Sequence, residues 1–167
     1  HIQAFTAVEI AHFAEISGMS TYETLKKLKD AGLGSLPGGG AEVFSTDVRK
    51  ELCPEKLSGE EWLNTMRTAH NLGMRSNATM LYGHIEKNED RVNHLLKLRE
   101  LQDETGGFMS FIPLAFHPKN TDLKDFSSTA GILDLKMLAI GRLMLDNFDH
   151  IKAFWIMLGI KLAQISL

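Results

Sequence analysis

Cysteine is almost missing from this chain: Cys53 is the single one among 167 residues. A lone thiol excludes an internal disulfide framework, and it excludes a zinc or iron–sulfur site built from several cysteines of this chain alone. Such usage suits a reducing compartment, so the expected location is cytoplasmic. Basic clusters are missing too. With 18 Lys and Arg against 21 Asp and Glu the formal net charge is −3, and no stripe of cations stands ready to neutralise phosphates. Nothing approaches the run of about 18 apolar residues that spans a bilayer. Nucleic acid and membrane are therefore not expected partners. His1 to Thr6 reads as a strand and shows no signal-peptide pattern. No G-x-G-x-x-G follows an apolar segment, and no H-E-x-x-H, H-x₃-H or paired-carboxylate spacing accompanies a histidine, so no metal site is expected. Repeats, low-complexity tracts and flexible linkers are absent as well.

What remains is globular. At 44% hydrophobic and 23% charged, the composition is that of one domain over residues 1–167 with enough apolar material for a core. Five short segments rich in β-branched, aromatic and apolar residues read as strands: "HIQAFT" (1–6), "GLGSLPG" (32–38), "RSNATMLYG" (75–83), "GFMSFIPLAF" (107–116) and "HIKAFW" (150–155). Helical patterns lie between them. Ser20-Thr21-Tyr22-Glu23 is a capping box for a helix ending near Gly32. Ser58-Gly59-Glu60-Glu61 opens another, with Trp62, Met66 and Ala69 on one face and Gly73 at its end. Asn88 is the expected cap of a third, buried through Val92, Leu95, Leu96 and Leu98. Ser127 or Ser128 is the expected cap of a fourth, carrying Ile132, Leu135, Leu138 and Leu143, and a last helix is expected from about Met157. Strands alternating with helices at this spacing define an α/β fold of parallel βαβ units. Periodicity leaves open whether the sheet is doubly wound or an arc of a (β/α)₈ barrel, which when complete takes about 250 residues.

Both architectures bind ligands at the carboxyl ends of parallel strands. The residues just beyond the first four strands are Thr6 and Glu9, then "PGGGAE" from Pro37 to Glu42, then Gly83, His84 and Glu86, then His117 and Asn120. Gly38-Gly39-Gly40 has two readings, a tight turn or a stretch where backbone amides approach a ligand closely with Glu42 accepting from sugar hydroxyls. His84 and His117 are either satisfied polar residues or acid–base groups near neutrality. His12, His70 and His94 fall in helical patterns and read as surface or packing residues. Cys53, far from every strand end, does not read as a nucleophile, and Lys87 to Arg91 reads as a solvated helix start. Trp155 reads either as a residue at the mouth of a barrel or as core.

Longer runs carry more information. "AGLGSLPGGGAEVF", "WLNTMRTAHNLGMRSNATMLYGHIE", "LLKLRELQDETGGFMSFIPLAFHPKNT" and "HIKAFWIMLGIKLAQISL" together resemble the aminofutalosine synthase family, radical S-adenosylmethionine enzymes of the futalosine route to menaquinone. The dehypoxanthine futalosine cyclases of the same route, and the radical enzymes that build the deazaflavin chromophore, are close relatives of that family, and the cyclase is the alternative reading with radical chemistry. "FIPLAFHPKNT" looks more like the synthase, since a cyclase is expected to carry a Trp and a Gln near Leu114 and His117. The resemblance implies a partial (β/α)₈ barrel in which the five segments are the third to seventh strands, the first two and the last being outside the chain. It implies S-adenosylmethionine as cofactor, a small-molecule substrate, and a [4Fe–4S] cluster whose C-x₃-C-x₂-C loop this chain lacks. Ser35, Gly38, Gly39, Gly40, Glu42, Leu81, Gly83 and Glu86 then match cofactor-binding regions, the last three through a loose G-x-I-x-G-x-x-E pattern in which Thr79 and Leu81 replace the first Gly and the Ile. There Gly83 permits close backbone approach and Glu86 is placed to fix the turn through backbone donors. Thr6, Glu9, Asn77, His84 and His117 are left for cofactor or substrate. A barrel enzyme of ordinary polar chemistry using His84 and Glu42, or a domain that only binds a nucleoside-like ligand, are the readings without radical chemistry. An arc of five strands also leaves two sheet edges through which copies are expected to associate.

Overall fold

The computed structural model describes residues 1–121, 123–124 and 128–167. In chain order the elements are β1 (Ile2–Gln3), α1 (Ala7–Ser17), α2 (Thr21–Asp30), β2 (Leu33–Leu36), α3 (Thr46–Leu52), α4 (Gly59–Asn71), β3 (Arg75–Tyr82), α5 (Asn88–Thr105), β4 (Phe108–Ala115), α6 (Gly131–Met144), β5 (His150–Ile151), α7 (Trp155–Leu158) and α8 (Ile160–Ile165). The strands form one open sheet in the order β1-β2-β3-β4-β5, and every neighbouring pair is parallel. Sequential order with a helix after each strand is the arrangement of a barrel arc, and it excludes the strand reversal of a doubly wound sheet. Pairing is most extensive between β3 and β4, from Ser76 opposite Phe108 to Tyr82 opposite Ala115. The outer strands are much shorter than the segments 1–6 and 150–155 suggest. Each is paired on one side only, and β5 gives way to α7 at Trp155.

Three capping boxes, Thr6 with Glu9, Ser20 with Glu23 and Ser58 with Glu61, start α1, α2 and α4. The first is the same T-x-x-E pattern, masked in the sequence by the strand-like residues before it. Asn88 proves to be the first residue of α5, and the helix start is closed by Asp90 Oδ2 accepting from the Lys87 N–H at 2.8 Å. Ser128 is not the cap of α6, which begins after Ala130 with no side-chain cap among the described residues, and Ser127 lies outside them. Several apolar positions expected in the core are not there. Val92 and Leu96 are each 42% exposed, and Ile132 and Leu143 are 64% and 79% exposed. The stripe that α6 buries is Asp134, Met137, Leu138 and Gly141, followed by Leu145. Spacing of three, four and seven marks one helix face, but the aspartate disguises it. Asp134 is buried because its Oδ1 accepts from the Tyr82 hydroxyl at 2.8 Å, tying α6 to β3. The last helix breaks at Gly159, whose φ of 83° and ψ of 149° no helix accommodates.

The main core lies between the sheet and its helices. Ala78, Met80 and Tyr82 of β3 meet Trp62 and Met66 of α4, Leu95 and Leu98 of α5, and Phe108, Phe111 and Phe148. Full burial of each such Leu, Met or Phe side chain contributes about 1.5–3 kcal/mol. The other face of β3 and β4 bears Asn77, Thr79 and Leu81 in register with Ser110, Ile112 and Leu114. Asn77, Leu81, Ile112 and Leu114 stay half-buried there. Parallel sheets are ordinarily covered on both faces, and here the inner face is only partly covered.

Candidate functional site

The carboxyl ends of β2 and β3 converge because one loop hangs on the other. After Leu36 the chain runs through the glycine triplet against β3. A Cβ on Gly38 would fall 2.8 Å from the Asn77 carbonyl oxygen, and the Thr79 hydroxyl donates to the Gly38 carbonyl at 2.6 Å. The Gly39 carbonyl accepts from Trp62 Nε1 at 3.1 Å, and Gly40 has a φ of 85°. These glycines are thus required by close packing within the chain. Arg49, from α3, locks the remainder of the loop. Its buried guanidinium donates to the carbonyls of Ala41 at 2.6 Å, Val43 at 3.2 Å, Gly40 at 3.3 Å and Leu57. Glu42 is held at a φ of 44°, a region that L residues seldom occupy. Its carboxylate pairs with Lys56 at 2.7 Å, and its carbonyl accepts from the Leu81 N–H at 2.9 Å.

From Leu81 the rim continues into a tight turn. Gly83, at φ 89°, and His84 both donate their backbone N–H groups to Glu86, at 2.6 Å to Oε1 and 2.8 Å to Oε2. His84 Nε2 donates to the Leu81 carbonyl at 3.1 Å, while Nδ1 sits 3.1 Å from Glu86 Oε2 without the alignment of a hydrogen bond. Burial pushes the His84 pKa down and the Glu86 charge pulls against that, leaving the ring neutral at pH 7. Its edge faces the Phe116 ring at 5.8 Å. The space over Gly83 is taken by Thr129, whose methyl would stand 2.2 Å from an added Cβ. Gly83→Ala is therefore expected to destabilise the turn through both positive φ and this overlap. A lowered unfolding midpoint checks it, and a bulky residue at Gly83 reports on folding before it reports on any pocket.

Glu42, Leu81, Gly83, His84 and Glu86 are thus brought together. Thr6 and Glu9 are occupied with each other: the Glu9 carboxylate accepts from the Thr6 N–H and hydroxyl, both at 2.8 Å. Ser35 is buried and bonds His1 Nε2 at 2.8 Å, and Asn77 accepts from the Ser110 hydroxyl at 2.9 Å, both back along their strands from the rim. His117 is exposed in the loop after β4. His70 and His94 are packing residues, as the helical patterns suggest, whereas Arg49, Lys56 and Arg91 carry no mark in the sequence. Arg91 lies in a charged run, yet it sits where the first turn of α5 faces back to β3. Cys53 is half-buried with its thiol pKa raised by burial, which makes it a poor nucleophile. Among the described residues no group of three His, Cys, Asp or Glu is placed to hold a metal ion. A cavity of about 700 Å³ lies elsewhere, between the starts of β4 and β5 and the terminal helices, lined mainly by apolar residues such as Met109, Ile151, Trp155 and Ile160. No helix among the described residues is long and apolar enough to cross a membrane.

An arc of parallel βα units with its polar residues gathered at the carboxyl rim defines part of a (β/α)-barrel protein. Residues 105–167 match the family model described as the CofH/MqnC C-terminal region. The whole chain is similar to aminodeoxyfutalosine synthases, at 54% identity to that of Thermus thermophilus over 99% of this chain and 47% to that of Streptomyces coelicolor over 99%. It is also 46% identical, over its full length, to a 5-amino-6-(D-ribitylamino)uracil–L-tyrosine 4-hydroxyphenyl transferase of Methanoculleus marisnigri. The chain covers 46% of each synthase and 47% of the transferase, so it spans about half the length of the curated relatives it matches.

Proposed function

We propose that this chain forms the central and C-terminal strands of a radical S-adenosylmethionine enzyme that makes aminodeoxyfutalosine for menaquinone. The observation that carries the reading is the 54% identity to a synthase of that name, sustained over 99% of the chain. In this reading the small-molecule substrate is 3-[(1-carboxyvinyl)oxy]benzoate, and S-adenosylmethionine would supply the 5′-deoxyadenosyl group: its C5′–S bond breaks with methionine as leaving group, C5′ bonds the enol-ether carbon, and after rearrangement the carboxyl of the carboxyvinyl group leaves as CO₂, with no net redox change. The half-buried Leu81, beside the turn at Gly83, offers an apolar wall to the adenine. Glu42, with its side chain 17% exposed and paired to Lys56, can accept from a ribose hydroxyl. The remaining inner face, Asn77, Ile112 and Leu114, orients the substrate and keeps water from it. A [4Fe–4S] cluster does not fit the residues present, which offer one cysteine, and no step is assigned to it.

The test is incubation of the full-length protein with reductant, S-adenosylmethionine and the enol-ether benzoate under anaerobic conditions, with products read by mass spectrometry. Aminodeoxyfutalosine is expected; transfer of a hydroxyphenyl group from tyrosine to 5-amino-6-(ribitylamino)uracil in its place would refute the reading. In the same protein Glu42→Gln is expected to weaken S-adenosylmethionine binding about tenfold, a change of roughly 1.4 kcal/mol. An unchanged Kd would remove Glu42 from the site. The 167-residue chain by itself is expected to hold no iron–sulfur cluster after reconstitution with iron and sulfide, since such clusters take several thiolates. A stoichiometric cluster absorbance on it would overturn that expectation.

A further inference from the structure

We infer that Arg91 is a positioning residue for the rim, acting through Glu86 on the turn that ends β3, and that Glu86 itself does not touch ligand. The Glu86 side chain has no solvent exposure, and both its oxygens are engaged. Oε1 accepts from the Gly83 N–H at 2.6 Å and from Arg91 Nε at 2.7 Å, with Arg91 Nη2 at 2.5 Å from the same oxygen. Oε2 accepts from the His84 N–H at 2.8 Å. A carboxylate taken out of water is strongly unfavourable unless it is paired and hydrogen-bonded, and two backbone amides carry no net charge to pair it. Arg91 supplies that charge. Its side chain is 15% exposed, and its Nη1 reaches Asn88 Oδ1 at 3.4 Å on the helix turn before it.

A continuous set of fixed groups therefore runs from the first turn of α5 through the guanidinium and the carboxylate to two amides of the Gly83–His84 turn. The histidine passes the constraint on, because its Nε2 donates to the Leu81 carbonyl while the Leu81 N–H donates to the Glu42 carbonyl. Leu81 and Glu42 are the two residues proposed to meet the adenosyl group, so the inference about the rim's effect on binding rests on that proposal. The guanidinium presents two donors to one oxygen, which a lysine ammonium on a flexible stem does not reproduce in fixed geometry. Arg91→Lys should therefore keep the charge and loosen the turn, and Arg91→Met should do more.

The experiment follows amide hydrogen exchange at Gly83 and His84, with Leu98 in the core of α5 as reference, and S-adenosylmethionine affinity by calorimetry, all in the full-length protein. Arg91→Lys is expected to speed exchange at Gly83 and His84 about tenfold while Leu98 is unchanged, and to weaken S-adenosylmethionine by a similar factor. A further signature separates positioning from mere support: the His84 titration should move up in Arg91→Met, where Glu86 loses its counter-charge, and down in Glu86→Gln. Unchanged exchange at both amides overturns the inference, as does equal acceleration at Leu98 or a His84 shift of one sign in both variants. Local acceleration with unaltered S-adenosylmethionine affinity upholds Arg91 as the holder of the turn and instead sinks the assignment of the rim to the adenosyl group.

Discussion

Truncating Arg49 to alanine is expected to lower the stability of the fold by about 3 kcal/mol or more, an effect large against the roughly 5–15 kcal/mol that holds a domain together. The guanidinium belongs to a residue 5% exposed, and among the described residues it bonds carbonyls and no carboxylate. Its removal leaves the carbonyls of Gly40, Ala41, Val43 and Leu57 without their donor in a packed interior, each at a desolvation cost of about 1–3 kcal/mol unless water enters. Because those four carbonyls belong to the loop after β2 and to the approach to α4, the loss is concentrated where Glu42 is held at its positive φ. Arg49→Lys should recover only part of it, since a single ammonium cannot reach four carbonyls with a guanidinium's fixed spread. Urea unfolding of the full-length protein measures this. A cost below about 1 kcal/mol for Arg49→Ala would show that the loop holds itself.

The legible and the hidden parts of this protein divide along a physical line. Strand order and parallel pairing can be read because the apolar segments are separated by helices too long for hairpins. The boxes at Ser20 and Ser58 can be read because capping needs a fixed local spacing. Rim residues such as Glu42, Gly83 and Glu86 can be nominated from topology, since parallel strands present their carboxyl ends together. The hidden features depend on partners distant in sequence. Arg49 and Arg91 look like ordinary solvated cations until the chain folds their guanidinium groups onto buried acceptors, and Asp134 breaks an apolar stripe that only the Tyr82 hydroxyl makes tolerable. Thr6 and Glu9 show the converse: they satisfy the rule of position after a strand, yet their polar atoms are given to the start of α1. Glu86 sits where the sequence pattern wants it, and its carboxylate accepts from the backbone donors of the turn, as its place in that pattern suggests.

Acidification from pH 7 to pH 5 is expected to remove about 4 kcal/mol of stability, carried by two buried histidines. His70 is 8% exposed, its ring nitrogens bond the hydroxyls of Thr105 at 2.7 Å and Ser76 at 2.8 Å, and burial lowers its pKa from 6.5 to about 4. His94 is fully buried, stacks on Phe44 with ring centroids 3.9 Å apart, donates from Nε2 to the Thr79 carbonyl at 2.9 Å, and is lowered by burial to about 3. Both folded-state values lie below the unfolded one, so the unfolded chain takes up protons first as the pH falls. The stabilisation is therefore complete above 6.5 and is lost through the interval from 6.5 down to about 4 for His70 and about 3 for His94. At pH 5 each ring has given up roughly 1.5 pH units at about 1.4 kcal/mol per unit, or about 2 kcal/mol. His84, lowered in the same direction, adds to the loss. The cap carboxylates Glu9, Glu23 and Glu61 are lowered from 4.5 and contribute their own loss only further down, which leaves the interval from 7 to 5 to the histidines. Unfolding free energies measured across that interval should fall with rising slope, and the paired variant His70→Gln, His94→Gln should flatten most of the fall. A wild-type profile that is level between pH 7 and pH 5 would mean that these rings reach solvent in the folded state, with looser packing against Phe44 and against the Ser76 and Thr105 hydroxyls.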